Sequence, residues 1–208
     1  MFHAEALDDA QLQLLRQLGP IMDRAGFYLA GGTAVALYFG HRKSLDLDWF
    51  TASPTPDLMP LAQQLRDAGV PFTASSVGPG TLHGDAAGIR VSAFEYRYPL
   101  LTPATHWEEC GCSLAALDDL ACMKLSAVAQ RGSRKDFLDI YALLLRHRPL
   151  SEMLDLYRRK YAVADVGHVL IALSYFEDAD REPSPLLLWQ IDWKTVKRDV
   201  AARVKEAA

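Results

Sequence analysis

The stretch "LAGGTAVALYFGHRKSLDLDWF", Leu29 to Phe50, decides how the rest of the chain is read. "FYLA" just before it has the look of a short apolar strand, and Gly31-Gly32-Thr33 opens a helix of small residues, "TAVALYFG". Without Cβ atoms the two glycines let the backbone turn sharply and approach a ligand closely. A helix starting there aims unpaired N–H groups, and its positive dipole end, at the same spot. "SLDLDWF" then alternates as a strand does. Asp46 and Asp48 therefore share one face, with α-carbons roughly 6.6 Å apart, and Leu45, Leu47 and Trp49 are expected to point into the core. Two neighbouring carboxylates repel unless a cation sits between them. Hard cations such as Mg²⁺ take oxygen ligands, and paired carboxylates hold two ions about 3.5–4 Å apart in phosphoryl chemistry. Taken singly, Asp-x-Asp suits a solvated strand face and Gly-Gly a plain turn. Together they supply an anion cradle and a metal pair in one supersecondary unit.

The remaining composition narrows the setting. The 208 residues are half apolar, with 22 Lys and Arg against 26 Asp and Glu, a net charge of −4. That balance argues against the broad attraction that drives non-specific nucleic-acid binding, although basic clusters stand at 131–135, 146–148 and 158–160. No apolar run reaches 18 residues, so no membrane span is expected, and the start lacks the pattern of a signal peptide. Cys110, Cys112 and Cys122 have no metal-knuckle spacing and read as reduced thiols of a cytoplasmic protein.

Residues 1–105 mix helices and strands: "LDDAQLQLLRQLGPIMDRAG" and "PDLMPLAQQLRDAG" are amphipathic, while "VPFTASSV", "TLHG" and "GIRVSAFEY" are strand-like. Residues 106–208 read as helices: "SLAALDDLACMKLSAVAQ", "RKDFLDIYALLLRH", "EMLDLYRRKY", "VGHVLIALSYF" and a terminal helix with Trp193, Val196, Val200 and Val204 on one stripe. "DREPSPLLLWQ" reads as a loop. The expected architecture is α+β, a small mixed sheet with helices followed by a helical part packed against it.

The order strand, Gly-Gly-Thr, helix, Arg-x-Ser, Asp-x-Asp resembles the DNA polymerase β-type nucleotidyltransferases, and the wording "GGTAVALYFGHRKSLDLDWF" is similar to their AbiEii/AbiGii toxin branch. "MKLSAVAQRGSRKDFLDIYALL" resembles that branch's second signature, a Lys on one helix and Lys-Asp-x-x-Asp on the next. "LSYFEDADREPSPLLLWQIDWKTVK" is similar to its C-terminal region, so the resemblance runs from about Phe27 to Lys197.

This resemblance implies a nucleotidyltransferase that moves NMP from an NTP to an RNA end such as that of tRNA, or to a protein hydroxyl. It also implies a toxin of a type IV toxin–antitoxin or phage-defence system with an antitoxin partner. Asp46 and Asp48 would hold Mg²⁺ or Mn²⁺. Gly31, Gly32, Thr33, Arg42, Ser44 and Lys135 would bind the nucleotide. Lys124 would reach the triphosphate, and Asp136 or Asp139 would orient a lysine or act as base. On their helix Phe137, Ile140, Tyr141 and Leu144 form the buried stripe, which puts Asp136 and Asp139 at its rim and lets Lys135 pair with Asp139 at i, i+4. Arg131 and Arg134 are lesser candidates, His41 could equally cap the helix end, and His83, His106, His147 and His168 read as structural.

One departure stands out. Polymerase-like members carry a third acid on a later strand, and in "GIRVSAFEY" that position is Ser92, with Glu95 on the opposite parity. Two alternatives to the transferase therefore stand beside it: a catalytically degenerate nucleotide- or partner-binding module, and a metal-dependent phosphohydrolase.

Overall fold

The computed structural model describes residues 2–207. Among them, a mixed seven-stranded sheet runs in the order β3-β4-β5-β2-β1-β7-β6. The strands are β1 (Tyr28–Leu29), β2 (Leu47–Thr51), β3 (Phe72–Gly78), β4 (Thr81–Ala86), β5 (Ile89–Glu95), β6 (Thr105–Trp107) and β7 (Cys112–Leu114). β2 runs parallel to β5 and antiparallel to β1, which in turn runs parallel to β7. The helices at the N-terminal end are α1 (Asp9–Arg24), α2 (Gly31–Phe39) and α3 (Met59–Asp67). α4 (Leu117–Gln130), α5 (Arg134–Arg146), α6 (Leu150–Tyr161), α7 (Gly167–Leu173), α8 (Glu177–Arg181) and α9 (Trp193–Ala207) follow.

Local chemistry accounts for these boundaries. Asp8 caps α1 in a capping box with Gln11, each side chain taking the other's backbone N–H. Gly40, in the left-handed conformation, closes α2. A two-residue turn at Ala87-Gly88, both with positive φ, joins β4 to β5. The Asp85 carboxylate accepts the Gly88 N–H across it, at 2.8 Å.

Two apolar cores result. Leu15 and Leu18 of α1 and Leu65 of α3 pack with Leu47, Trp49, Leu82 and Val91 of the sheet. The second core joins α4 to α7 and α9 through residues such as Leu125, Phe137, Met153, Val169 and Val200. α2 is buried at Thr33 through Leu37, as expected of a helix with apolar neighbours all round.

Several expectations are corrected. β2 begins at Leu47, so the alternation stops short of Leu45, which is 73% exposed rather than in the core. Ser113 and Leu114 belong to β7, not to a helix, and the sheet runs on past residue 105 through β6 and β7. The loop around "PLLLW" is a strap: Leu187 bridges Arg42 in antiparallel fashion, Leu188 N–H donates to the His41 carbonyl, and Lys43 N–H donates to the Leu186 carbonyl.

Candidate active site

The pocket-facing side of β2 and the N-terminus of α2 meet in a cleft of about 560 Å³, within the range of small-molecule sites. Gly31, Gly32, Thr33, Asp46 and Asp48 line it from the sheet side, and Lys124 and Lys135 from the helices. Gly31 has φ +65°, which L side chains rarely adopt. A Cβ there would lie 3.0 Å from Asp48 Oδ2, so the diglycine bend and the second acid are in contact. The bend is pinned from below. Thr33 Oγ donates to the Asp46 carbonyl, and Ser44 Oγ, 2.7 Å away, supplies a proton to Thr33 Oγ. Ser44's own carbonyl accepts from the buried Gln11 amide at 2.8 Å.

Asp46 and Asp48 both open into this space, and their electrostatics favour a cation. Burial, and next the Asp46 charge, raise the Asp48 carboxyl above its ordinary value. Two cations stand at the outer edge of ion-pair range from Asp46: Lys135 Nζ at 4.0 Å and Arg90 Nε at 3.9 Å. Among the described residues no group of three or more His, Cys, Asp or Glu comes together to hold a metal. Two carboxylates are nonetheless the donor set Mg²⁺ uses, because it keeps waters and takes substrate phosphates for its other positions. Asp46 and Asp48 thus fit a divalent ion.

Beneath the cleft lies a buried network of charges. Lys124, 3% exposed, is 2.6 Å from Asp139 Oδ2 and donates to Asp136 Oδ1 at 3.0 Å. Arg42 grips Asp139 with two bonds, Nε at 2.8 Å and Nη2 at 2.9 Å, the bidentate form that suits guanidinium. Asp136 also accepts from Arg131 Nε at 2.7 Å and Ser133 Oγ at 2.6 Å. Burial alone would raise both acids, but Arg42 and Lys124 hold Asp139 well below the usual carboxylate range, and Lys124 and Arg131 do the same to Asp136. Burial works against the Lys124 charge, yet the two acids keep it protonated.

This network revises four readings of the sequence. Asp136 and Asp139 are not at a rim; both are fully buried, because α2 and α4 cover the flank of α5 that periodicity alone leaves open. Asp136, saturated with donors, is unsuited to act as base. Lys135 does not pair with Asp139, which is enclosed by Arg42 and Lys124, and faces Asp46 instead. His41 does not cap α2. It is buried with Nε2 2.8 Å from Asp139 Oδ1, its Nδ1 lacks a partner, and burial lowers its pKa. Arg42 lines the cleft, but its guanidinium is committed to Asp139 and to the Lys43 carbonyl.

The sequence reading missed one feature. The register pairs Asp48 with Ser92 on β5 and Ser92 with His83 on β4, a row across three strands on the cleft side. His83 Nδ1 lies 3.1 Å from Ser92 Oγ. Counting back from the Ala87-Gly88 turn would have matched residue 83 with residue 92. Phe50, Phe94 and Tyr96 continue the same face, with the two phenyl rings stacked 5.1 Å apart. Glu95 turns away to the Thr55 N–H and Arg97.

A mixed sheet presenting an Asp-x-Asp strand beside a diglycine helix start, backed by a helical half, is the polymerase β-like nucleotidyltransferase fold. The solved structures agree. The protein JHP933 of Helicobacter pylori aligns over 97% of this chain and 93% of its own, with TM-score 0.58 and 15% identity. The nucleotidyltransferase toxin MenT4 (Rv2826c) of Mycobacterium tuberculosis H37Rv aligns over 94% and 82%, with TM-score 0.58 and 16% identity. In sequence, the chain is 39% identical over 183 residues to the protein aq_aa25 of Aquifex aeolicus (strain VF5), covering 86% of this chain and 87% of that one. Residues 13–106 and 99–206 match the family described as "Nucleotidyl transferase AbiEii toxin, Type IV TA system", and the chain belongs to that family.

Proposed function

We propose that this protein transfers NMP from an NTP to an acceptor hydroxyl, on an RNA end such as that of tRNA or on a protein, as the toxin of a type IV toxin–antitoxin pair in the cytoplasm. The observation that carries the reading is the contact between the Gly31 bend and Asp48 in one cleft. The start of α2 receives phosphate oxygens through its backbone N–H groups. Asp46 and Asp48 hold Mg²⁺ or Mn²⁺, which when bound neutralises charge on the phosphates and on the oxygen that leaves. Lys135 and Arg90 flank Asp46 and meet the outer phosphates. Lys124 sits at the cleft floor as a fixed positive charge, and Asp136 and Asp139 position it. Ser44 acts through Thr33, keeping the bend in shape, and Arg42 anchors the loop that leads into the Asp-x-Asp.

Incubation with each α-labelled NTP, Mg²⁺ and total RNA or total protein tests this. Label is expected on one acceptor class and is expected to vanish in Asp48→Asn. No label under any condition, or label that persists in that variant, would overturn it. The degenerate-module reading rests on Ser92 in the third acid's place. It would be favoured by Mg²⁺-dependent NTP binding in calorimetry with no transfer.

A further inference from the structure

A hydroxyl that attacks phosphorus must lose its proton, and the cleft offers few groups to take it. Asp46 and Asp48 are engaged by the divalent ion in the reading above. Asp136 and Asp139 are buried, saturated with donors and held ionised by cations. Lys124 stays protonated between them. The Tyr96 phenol is raised by burial and bonded to Tyr161. Among the described residues, His83 is the imidazole lining the cleft, half-buried and beside Phe94.

We propose that His83 is the general base of this site, accepting at Nε2 the proton of the acceptor hydroxyl and standing in for the carboxylate that Ser92 replaces. The inference rests on the transfer reading above. The row Asp48–Ser92–His83 suits the tautomer that a general base needs. In the strand register Ser92 stands between Asp48 and His83. In that tautomer the Ser92 oxygen accepts from His83 Nδ1–H, 3.1 Å away. Nε2 keeps its lone pair. The acceptor oxygen bonds to the α-phosphorus, the bond from that phosphorus to the pyrophosphate oxygen breaks, and pyrophosphate leaves. The proton rests on Nε2 as imidazolium until solvent removes it. The charged groups around the ring are Asp85 on its own strand and Arg90 on the next, with Asp46 and Asp48 beyond Ser92.

The test uses the full chain, Mn²⁺, and whichever NTP and acceptor give transfer in the wild type. His83→Ala and His83→Gln should slow single-turnover transfer about 100-fold or more, the usual range for a lost base. Affinity for the NTP, read by calorimetry, should stay within about twofold if the base acts only on the acceptor. Added imidazole should restore transfer to His83→Ala, increasingly as pH rises and free imidazole loses its proton. Ser92→Asp placed on His83→Ala should recover transfer without imidazole. Wild-type rates in both His83 variants would overturn the proposal, as would loss of NTP binding together with transfer, or loss that imidazole fails to relieve. If the wild type transfers to no acceptor, the transfer reading falls and this inference with it; if only the His83 results fail, the transfer reading stands.

Discussion

Gly31 shows how much a single hydrogen can matter. Its backbone is left-handed, and the space its Cβ would occupy borders the Asp48 carboxylate at 3.0 Å. Gly31→Ala should cost about 1–2 kcal/mol in strain and push Asp48 aside. Mn²⁺ titration followed by electron paramagnetic resonance should show at least tenfold weaker binding. Lys124 is the opposite case, a charge that cannot leave. Lys124→Met leaves Asp136 and Asp139 undercompensated in a dry site, and a loss of about 3–5 kcal/mol in urea unfolding is expected. The same acids set a pH dependence. Their folded-state pKa values are depressed, so their contribution is fully present above about pH 4 and is lost as pH falls below that, toward the folded values. The urea midpoint should therefore drop steeply below pH 4 in the wild type and more shallowly in Asp136→Asn.

At the level of elements, the β4–β5 hairpin places the His83–Ser92 row, and its turn carries Ala87 at φ +54°. Ala87→Gly relieves roughly 1–2 kcal/mol of strain at an entropic cost of about 0.5–1 kcal/mol. A small rise in melting temperature is expected, with transfer unchanged. This scale also shows where the sequence was readable. Strands flanked by glycine and long periodic helices stood out because local pattern determines them. So did the meeting of Gly31, Gly32, Asp46 and Asp48, which lie within eighteen residues. The short strands β6 and β7 did not, since three-residue strands carry too little alternation and owe their form to partners such as β1. Asp136 and Asp139 were misplaced because one helix's periodicity says nothing about α2 and α4 closing over its side. His83 was passed over because its meaning depends on strand register, a property of pairs.

The molecule as a whole keeps its reactive groups inside. Cys110, Cys112 and Cys122 are buried, and burial pushes their thiols up to about 11, 12 and 12. A thiolate-seeking reagent at pH 8 should leave all three unmodified in the native protein and modify them once urea unfolds it. No helix among the described residues is long and apolar enough to cross a membrane. The last consequence concerns the strap of residues 186–189, which holds the backbone of 41–43 and sends the Trp189 indole N–H to the Phe39 carbonyl at 3.2 Å. A gene shortened after Arg181 would still encode every acid and glycine of the cleft. Its product would nonetheless lack the brace behind Arg42, so a truncation that spares those acids and glycines still forfeits part of the scaffold that holds them.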